Sequence, residues 1–400
     1  MHVNTGIQFR RMSKQPVMLI GAGMGGLTCA LAMQRAGIAV RVYEQAPELA
    51  EVGAGLTLSP NGSKALIGLG LESELADLAD PPSYQAVHHY QTGHVLVRID
   101  RGDLTREQYG APYYQIHRAD LHRMLADAVR ANDPDGICLG HEFERFSQDA
   151  TGVTAFFTNG NSASGRALIG CDGVKSPVRS QMHVQESPKF TRYVAWRGLA
   201  PAAKVPAEAV DPPSGIYIGP GHLFVRYLIR GGETVNYVAF VERDDWQVES
   251  WSQRSTVKEV LDEFSEFHEL VRAIIGATPP ELCYKWGLFS RRPLESWSVG
   301  RVSLLGDAAH PTLPFMGQGA VMAIEDGIVL ARCMAKTDNL SEAFLRYESA
   351  RVARTTMVME NSARIIHRFF APDTDRFAEG NNRNEESLGL FRYDAWQVPV

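Results

Sequence analysis

Closely spaced glycines near the start of the chain have the types and spacing to hold a phosphate group. They follow Val17–Ile20, a short apolar run typical of a strand buried on both faces of a parallel sheet, and they are Gly21, Gly23, Gly25 and Gly26. In a G-x-G-x-x-G pattern, Gly21 permits the tight turn, Gly23 lets the backbone approach a pyrophosphate, and Gly26 lets a helix pack closely. Residues 27–36 form the predicted helix, whose first N–H groups can bind the anion. The segment therefore predicts a dinucleotide-binding turn.

An acidic residue follows this turn at about the distance, roughly 20 residues, that dinucleotide-binding units require. This residue, Glu44, ends the second predicted strand (39–43), and its carboxylate can accept hydrogen bonds from an adenosine ribose. A carboxylate here disfavours a 2′-phosphate, so the pattern indicates NAD or FAD rather than NADP as the bound dinucleotide. The turn and Glu44 do not choose between NAD and FAD.

A second segment of interest contains Asp172 and Gly173 directly after a short apolar strand. Ser176 and Pro177 follow, and these residue types suit the N-cap and first turn of a helix. The same residues also fit an ordinary turn before a capped helix. This segment alone therefore does not identify a ligand.

A third segment has a similar strand–turn–helix pattern near the end of the chain. The predicted strand 302–305 leads into Gly306 and Asp307, and the next helix opens with Gly317, Gly319 and Ala320. Asp307 can bind a ribose or ribityl hydroxyl, and the N–H groups at the helix start can stabilise the negative charge of a reduced ring system. Because NAD needs no second anchor so far along the chain, this segment favours FAD.

These motifs together resemble those of the class A flavoprotein monooxygenases, the aromatic hydroxylases of the p-hydroxybenzoate hydroxylase fold. The resemblance rests on GAGMGG with Glu44, on CDG and on GDAAHP, and it covers residues 17–347. It implies that the glycine turn binds the ADP part of FAD, that the Asp-Gly motif serves both FAD and NAD(P)H, and that the Gly-Asp motif holds the ribityl chain. Since the sequence has one fingerprint, NADH or NADPH is expected to bind transiently as a co-substrate.

The resemblance also implies a reaction in two halves. NAD(P)H reduces FAD by hydride transfer, and the reduced flavin reacts with O₂ to give a C4a-hydroperoxide that hydroxylates a phenolate or hydroxypyridine ring. The cofactor supplies this chemistry, while the protein orients the ring and excludes water. No metal ion is required.

Further segments are most similar to salicylate 1-hydroxylases, 3-hydroxybenzoate 6-hydroxylases and 6-hydroxynicotinate 3-monooxygenases; they are residues 51–62, 108–125, 216–232 and 291–311. By this resemblance Arg118 lies against the FAD, and Gly55 and Pro314 belong to the cofactor site. Tyr227 lines the substrate pocket. Tyr227 and the nearby His222 are the candidate catalytic residues.

Three positions depart from these relatives. Phe315 stands where salicylate and hydroxynicotinate enzymes commonly carry a histidine, and Pro314 replaces a glutamine that some hydroxybenzoate enzymes place near the ring. Leu223 stands where several relatives have a histidine four residues before the pocket tyrosine, with His222 one step away. These changes predict a more apolar pocket and leave the base that deprotonates the phenol unassigned.

The predicted fold is α/β: a Rossmann-like FAD-binding domain, an interleaved antiparallel-sheet substrate domain and C-terminal helices. The FAD-binding domain is expected to be discontinuous and to comprise residues 15–83, 112–190 and 295–340. Strand-like runs with β-branched and aromatic residues place the substrate domain at residues 84–111 and 191–294.

Three other segments are assigned from their composition. Residues 1–14 are expected to form a flexible leader, and residues 257–275 an amphipathic helix. Residues 341–400 are predicted to form a C-terminal helix and a tail, whose apolar end docks on the body of the protein or on a partner copy.

Composition excludes several other classes of protein. The net charge of −6 offers no basic face for nucleic acid, and no apolar stretch approaches the roughly 20 residues of a membrane span. The five cysteines are scattered without a CxxC pair, which indicates neither a disulfide framework nor a metal site. We expect a cytoplasmic enzyme, monomeric or homodimeric, that acts on a small aromatic substrate with O₂ and NAD(P)H.

The primary hypothesis is hydroxylation of a monohydroxylated aromatic carboxylate, salicylate-like or 3-hydroxybenzoate-like. The alternatives are a 6-hydroxynicotinate-type hydroxypyridine carboxylate hydroxylase, an FAD-dependent NADH oxidase without ring hydroxylation, and a non-catalytic lipid- or prenyl-binding relative of this fold. The GDAAHP segment argues against the last. NADH is favoured over NADPH because the named relatives mostly prefer it.

Overall fold

A computed structural model describes residues 15–49, 54–184, 187–244, 253–379 and 384–400. The predicted leader, residues 1–14, lies outside the described residues. The strands, in chain order, are β1 (Val17–Ile20), β2 (Val40–Tyr43), β3 (Gly55–Leu58), β4 (Tyr84–His89), β5 (Val95–Asp100), β6 (Tyr114–His117), β7 (Ile137–Cys138), β8 (Phe143–Gln148), β9 (Val153–Phe157), β10 (Ser162–Gly165), β11 (Ala167–Gly170), β12 (Lys189–Pro201), β13 (Ser214–Gly219), β14 (His222–Ile229), β15 (Thr234–Glu242), β16 (Gln253–Arg254), β17 (Tyr284–Ser290), β18 (Ser298–Val299) and β19 (Val302–Leu304).

The α-helices lie between these strands and at the C-terminal end. They are α1 (Met24–Arg35), α2 (Pro60–Gly68), α3 (Glu72–Leu78), α4 (Asp103–Tyr109), α5 (Arg118–Asn132), α6 (Pro177–Met182), α7 (Val257–Glu263), α8 (Glu269–Gly276), α9 (Gly319–Lys336), α10 (Leu340–Phe369) and α11 (Asn384–Ser387). The predicted cap of α6 is confirmed, because the Ser176 side chain accepts a hydrogen bond from the Arg179 N–H at 2.8 Å.

The first large sheet has six strands in the order β18-β19-β11-β1-β2-β7, parallel except at β18. Every residue of β1 is buried, as expected for a central parallel strand with helices on both faces. Because β19, β11 and β1 are neighbours and parallel, their carboxyl ends meet at one edge of the sheet. The glycine turn, the Asp-Gly turn and the Gly-Asp turn, which are far apart in the sequence, therefore come together there.

The second large sheet has eight strands in the order β16-β17-β12-β15-β14-β13-β4-β5, antiparallel except for the β13–β4 pair. Side chains alternate between its two faces along each strand. Leu223, Phe240 and Trp286 belong to a core cluster on one face, whereas Phe224 and Tyr237 belong to a cluster that contains residues of α7 and α8. We call the first the inner face and the second the outer face.

The helical segment on the outer face differs from the prediction for residues 257–275. It consists of two helices, α7 and α8, separated by a turn. Phe264 and Phe267 in this turn are both buried, with ring centroids 4.8 Å apart, and the His268 side chain caps α8 by accepting from the Leu270 N–H at 3.4 Å. Breaking the helix lets both aromatic rings reach the sheet, and the new cap satisfies one exposed N–H.

The C-terminal tail docks on the body of the same chain. Trp396 Nε1 donates to the Ala65 carbonyl at 3.0 Å, and Arg332 donates to the Ala395 carbonyl at 2.6 Å. Further back, Glu385 of α11 pairs with Arg101. The tail therefore fixes the end of the chain against both α2 and the segment after β5.

The predicted α/β fold class is confirmed. The strands of the six-stranded sheet all lie inside the ranges assigned to the FAD-binding domain, while the domain limits themselves stay a prediction. Among the helices of the described residues, none combines the length and the apolar character needed to cross a bilayer.

Candidate active site

A cavity of about 530 Å³ is lined by residues from both large sheets. Part of its wall comes from the turns at the edge of the six-stranded sheet, including Gly23, Gly173 and Gly306. Another part comes from the inner face of the eight-stranded sheet, including Tyr227 and Val238. The cavity thus joins the predicted cofactor motifs to the predicted substrate pocket.

The glycine turn after β1 is built so closely that side chains would not fit. Gly21 has φ +106°, and a Cβ there would lie 2.5 Å from the Cys171 carbonyl oxygen. A Cβ on Gly26 would collide with the Gly21 carbonyl oxygen, and one on Gly25 would lie 2.5 Å from a Leu305 methyl. Close packing therefore explains why each of these three positions is a glycine.

Gly23 differs from the other glycines of this turn. No described atom lies within 4 Å of a Cβ built on it, and it lines the cavity as the N-cap of α1, with no side-chain cap among the described residues. A side chain here would fill space rather than strike protein. The first N–H groups of α1 are therefore left to a ligand, as at a phosphate-binding helix start.

Glu44 lies at the end of β2, as predicted, but is not among the cavity-lining residues. Its carboxylate accepts the Ala22 N–H at 2.8 Å and the Ala46 N–H at 2.9 Å. These bonds hold the carboxylate beside the glycine turn, and each oxygen retains a lone pair for a ribose hydroxyl.

The Gly-Asp turn after β19 lines the cavity with both of its residues. Gly306 has φ +64° and is buried, while the Asp307 side chain is open to the cavity. Desolvation by the surrounding protein raises the pKa of Asp307, although the nearby His310 and Arg118 favour its charged form. The carboxyl group can accept or, when protonated, donate a hydrogen bond to a hydroxyl of a bound ligand.

The start of α9 forms the next part of the wall, through Pro314, Gly317, Gly319 and Ala320, all of which line the cavity. Gly317 has φ +62°, a left-handed conformation that glycine adopts without strain. Among the described residues no side chain caps the first turn of α9. Its N–H groups and the positive end of the helix dipole are thus available to a negatively charged ring system.

A buried ionic network supports this turn, and the sequence patterns did not reveal it. Asp326 accepts the Gly306 N–H at 3.0 Å, His310 Nε2 at 2.5 Å and Arg351 Nε at 2.6 Å. Burial alone would raise the pKa of Asp326, but His310 and Arg351 outweigh it and lower the pKa to about 2. The network ties α10 to the Gly-Asp turn, and it gives His310 a structural partner.

The remaining predicted cofactor residues are distributed around the same cavity. Arg118, the first residue of α5, and Gly173, with φ +76°, both line it. Asp172 does not: one of its carboxylate oxygens accepts the Val178 N–H at 3.0 Å at the start of α6. Its position in the structure is that of a helix-capping residue beside the cavity.

Gly55 and Tyr227 meet where β3 crosses the inner face of the eight-stranded sheet. The Gly55 N–H donates to Asn236 Oδ1 at 2.6 Å, and a Cβ on Gly55 would lie 2.5 Å from the Tyr227 ring. Burial, together with the neighbouring Tyr113, raises the pKa of Tyr227. Its hydroxyl therefore keeps its proton at neutral pH and can donate a hydrogen bond into the cavity.

His222 lies apart from the other predicted site residues. It is not among the cavity-lining residues; its Nδ1 lies 2.8 Å from the Pro220 carbonyl and its Nε2 3.2 Å from Glu263 Oε1, with α7 on the outer face. Burial lowers the pKa of His222, but Glu263 and the Pro220 carbonyl outweigh it and raise the pKa. The structure does not bring His222 and Tyr227 together, because the two side chains point to opposite faces of β14. A catalytic role for His222 stays a prediction.

Several cavity-lining polar residues were missed in the sequence: Gln85, Arg101, Tyr113 and Glu385. The alternation along β4 places Gln85 and Val87 on one face, so this strand did carry a signal. No sequence pattern predicts the position of Glu385, because this residue reaches the cavity through the docking of the C-terminal segment.

A second cavity, of about 250 Å³, lies behind the Asp-Gly and Gly-Asp turns. Its wall includes Ala309, Pro311 and His183. It also includes four cationic side chains, which are Lys175, Arg179, Arg291 and Arg292. Arg179 donates to the carbonyls of Ala308 and Asp307 and so fixes the wall shared by the two turns. The cavity is positively charged and adjoins the predicted cofactor site.

The sequence matches the profile of the FAD binding domain family over residues 14–362. It is 38% identical over 366 residues to a 3-amino-4-hydroxybenzoate 2-monooxygenase of Streptomyces cremeus, covering 90% of each chain. It is 35% identical over 395 residues to a 6-hydroxynicotinate 3-monooxygenase of Pseudomonas fluorescens, covering 97% of this chain and 98% of that protein. This chain therefore belongs to the FAD binding domain family, among the FAD-dependent monooxygenases that act on aromatic rings.

The fold agrees with this assignment. The solved structure of Klebsiella pneumoniae HpxO in complex with FAD and uric acid superposes with a TM-score of 0.85 at 26% identity, covering 96% of this chain and 97% of that chain. The predicted family, FAD as cofactor and NAD(P)H-dependent monooxygenase chemistry are confirmed.

The residues that line the cavity are suited to hold FAD. Gly23 and Gly173 leave open space where side chains would intrude, and the starts of α1 and α9 present N–H groups toward the cavity. These two helix starts suit the two negatively charged parts of the cofactor, its pyrophosphate and its reduced ring.

Proposed function

We propose that this enzyme uses NAD(P)H and O₂ to hydroxylate a monohydroxylated aromatic carboxylate, salicylate-like or 3-hydroxybenzoate-like. The observation that carries the proposal is the single cavity shared by the FAD motifs and the inner face of the eight-stranded sheet. The two relatives named above support it, because the names of both give substrates that combine a ring hydroxyl with a carboxylate.

The apolar wall of the cavity is suited to hold an aromatic ring in one plane. Leu223, Val225 and Phe240 line it from the eight-stranded sheet, and the Phe315 ring packs against Phe240 with centroids 5.0 Å apart. These side chains offer no hydrogen bonds, so they orient the ring by shape and exclude water from the reaction. Phe315 and Leu223, which replace histidines of the relatives, belong to this wall.

Bound FAD supplies the redox chemistry, taking a hydride from NAD(P)H and passing an oxygen atom of O₂ to the ring. Tyr227 donates a hydrogen bond toward the substrate's phenolic oxygen, since its raised pKa keeps the hydroxyl protonated. Such a donor stabilises the phenolate form of the substrate, in which the ring is more electron-rich. Arg118 and Asp307 line the cofactor part of the wall, where they would help to hold bound FAD.

NAD(P)H is proposed to bind transiently in the second cavity. Its pyrophosphate is an anion, and the basic side chains around this cavity provide an attractive field beside the Asp-Gly motif. The position next to the Gly-Asp turn brings a bound nicotinamide nucleotide close to the cofactor without a second Rossmann unit.

The test is made on purified, flavin-loaded protein. NADH oxidation is followed under air with salicylate, 3-hydroxybenzoate, 4-hydroxybenzoate and 6-hydroxynicotinate, and hydrogen peroxide is counted per NADH consumed. We expect one hydroxybenzoate to stimulate oxidation strongly with little peroxide, together with a hydroxylated product. Slow oxidation with stoichiometric peroxide for every acid contradicts the proposal and supports an NADH oxidase.

The second candidate is a hydroxypyridine carboxylate hydroxylase. It is favoured by the match to the 6-hydroxynicotinate enzyme over nearly the whole of both chains. Coupled turnover with 6-hydroxynicotinate alone, in the same assay, establishes this candidate instead of the first.

A further inference from the structure

The polar groups on the substrate side of the cavity are gathered around Arg101. This residue directly follows β5 and is only 8% exposed. Its Nη1 donates to Glu385 Oε1 at 2.9 Å and its Nη2 to Gln85 Oε1 at 3.2 Å, while Nε has no hydrogen-bond partner among the described residues. Arg101, Gln85 and Glu385 line the same cavity as Tyr227.

Aromatic rings hold the Arg101 guanidinium beside the predicted ring-binding region. It lies 4.8 Å from the Tyr113 ring centroid and 5.6 Å from that of Phe391. Tyr113 and Thr57 line the same cavity, and a Cβ on Gly317 would lie 3.8 Å from Thr57 Cβ. The Arg101 guanidinium is therefore held by aromatic rings at the wall of the cavity.

We propose that Arg101 binds the carboxylate of the aromatic substrate and that Glu385 occupies the same guanidinium before the substrate arrives. The inference rests on the proposed function, because it requires a substrate with a carboxylate. Glu385 is a carboxylate already bound at hydrogen-bond distance, so the site accepts that chemical group. When the substrate displaces Glu385, Nη1 is released, and with the unpartnered Nε the guanidinium keeps donors for the incoming anion.

Besides Arg118 in the cofactor part of the wall, two further arginines line the cavity and serve as comparisons. The Arg197 guanidinium lies 5.1 Å from the Tyr284 centroid and 5.7 Å from that of Trp286, and Arg368 donates to the Phe377 carbonyl at 2.8 Å. Arg101 holds the carboxylate of Glu385, which also lines the cavity. With the carboxylate on Arg101, the substrate ring would extend along the apolar inner face toward Tyr227.

The experiment measures ligand binding to the oxidised, FAD-loaded enzyme without NADH, through the change in flavin absorbance and fluorescence. Two ligand pairs are used, 3-hydroxybenzoate with 3-hydroxybenzamide and salicylate with salicylamide, because each amide keeps the ring and loses the charge. R101Q is expected to raise the Kd of the acid about 10- to 100-fold and that of the amide less than about 3-fold. R197Q is the matched control and is expected to leave the ratio of the two Kd values unchanged.

E385Q tests the second half of the proposal. Removing the competing carboxylate is expected to lower the Kd of the acid about 3- to 10-fold and to leave the Kd of the amide unchanged. Flavin content and Tm are recorded for every variant. If R101Q does not retain FAD, R101K, which keeps the charge and loses the planar fork, is measured beside E385Q.

The outcomes separate this inference from the proposed function. If the wild-type enzyme does not bind the acid more tightly than the amide, both the proposed role of Arg101 and the proposed substrate class are wrong. If the wild type prefers the acid over the amide and R101Q keeps that preference, Arg101 does not bind the carboxylate, while the substrate class stands. The same conclusion follows if R197Q, and not R101Q, removes the preference. An E385Q variant with the wild-type Kd for the acid overturns the role of Glu385.

Discussion

The two parts of the cavity wall are built in different ways. The cofactor part consists mainly of backbone, at turns after adjacent parallel strands, where glycines such as Gly23 and Gly306 line the cavity. The substrate part consists of side chains from β4, β14, β15 and the C-terminal segment. Substitutions in the first part should act on cofactor retention and folding, whereas substitutions in the second should act on substrate binding and coupling.

The largest effect is expected from Gly26→Ala. Gly26 lies in the first turn of α1, and the added Cβ would collide with the Gly21 carbonyl oxygen just before that helix. We expect FAD affinity to fall at least about 100-fold or the fold to be lost, measured by flavin absorbance per protein and by Tm. Gly276→Ala is the control, since no described atom lies within 4 Å of its Cβ position, and it should retain the flavin and the wild-type Tm or a slightly higher one. A yellow Gly26→Ala protein with wild-type Tm would contradict the backbone description of this part.

The next effect is expected from Asp326→Asn, in the network below the Gly-Asp turn. Loss of the charge removes one of the two buried carboxylates that pair with Arg351, the other being Glu325. The free energy of unfolding should therefore fall by up to about 3–5 kcal/mol, with weaker FAD retention. Asp262→Asn, which removes an exposed i,i+4 pair with Lys258, should cost less than about 0.5 kcal/mol.

The pH dependence gives this prediction a second readout. The pKa of Asp326 is lowered to about 2, so its contribution to stability is fully present above its ordinary pKa near 3.8 and is lost as the pH falls toward 2. The stability difference between wild type and Asp326→Asn should therefore be constant above pH 4 and shrink below it. A difference that grows with increasing acidity would exclude the ion pair as its source.

The contrast between the two parts also explains what the sequence could predict. A glycine turn between a strand and a helix is local, so the residues around Gly21–Gly26 and Gly306–Asp307 were identified before the fold was known. Arg101 and Glu385 are 284 positions apart and meet only through tertiary packing. The Asp326–Arg351 pair was missed for a related reason, since two charged residues on successive helices are more often solvated than buried.

On the substrate side, Tyr227→Phe should lower coupled turnover about 10-fold or more while FAD content stays unchanged. The lost hydroxyl would no longer stabilise the phenolate, so peroxide per NADH should rise. Tyr237→Phe is the matched control, because Tyr237 is a buried tyrosine on the outer face, where its hydroxyl bonds Thr278 Oγ1 at 3.2 Å. It should cost about 1 kcal/mol of stability and leave coupling intact. Equal uncoupling by the two variants would contradict the assignment of the faces.

A smaller effect is expected from Arg292→Gln at the second cavity. Removing one cation should raise the KM for NADH about 3- to 10-fold and weaken its dependence on salt, with kcat unchanged at saturating NADH. Arg254→Gln removes an exposed cation that is not part of this cavity, so steady-state kinetics should be those of wild type. If the two variants have indistinguishable KM values for NADH, the proposal that NAD(P)H binds in this cavity is wrong.

The position of His222 shows what the period of a strand adds to proximity in the sequence. Tyr227 and His222 are five residues apart in one strand, and an odd separation places two side chains on opposite faces. Proximity in sequence suggested a shared pocket, whereas the period of the strand predicts that Leu223, not His222, accompanies Tyr227. The lining of the cavity by Leu223 and Tyr227 follows that rule.

The smallest effect is therefore expected from His222→Asn, which should change kcat, KM and coupling by less than about 2-fold because the side chain faces Glu263. Its effect on stability should depend on pH. Since the pKa of His222 is raised in the folded protein, its pairing with Glu263 stabilises the fold below the ordinary histidine pKa of about 6.5, and this contribution disappears as the pH rises through the folded pKa. The variant should thus lose up to about 1 kcal/mol at pH 5.5 and almost nothing at pH 9, as measured by denaturant unfolding. If the variant instead loses hydroxylation with unchanged stability, His222 takes part in catalysis. The functional difference between the inner and outer faces would then be contradicted.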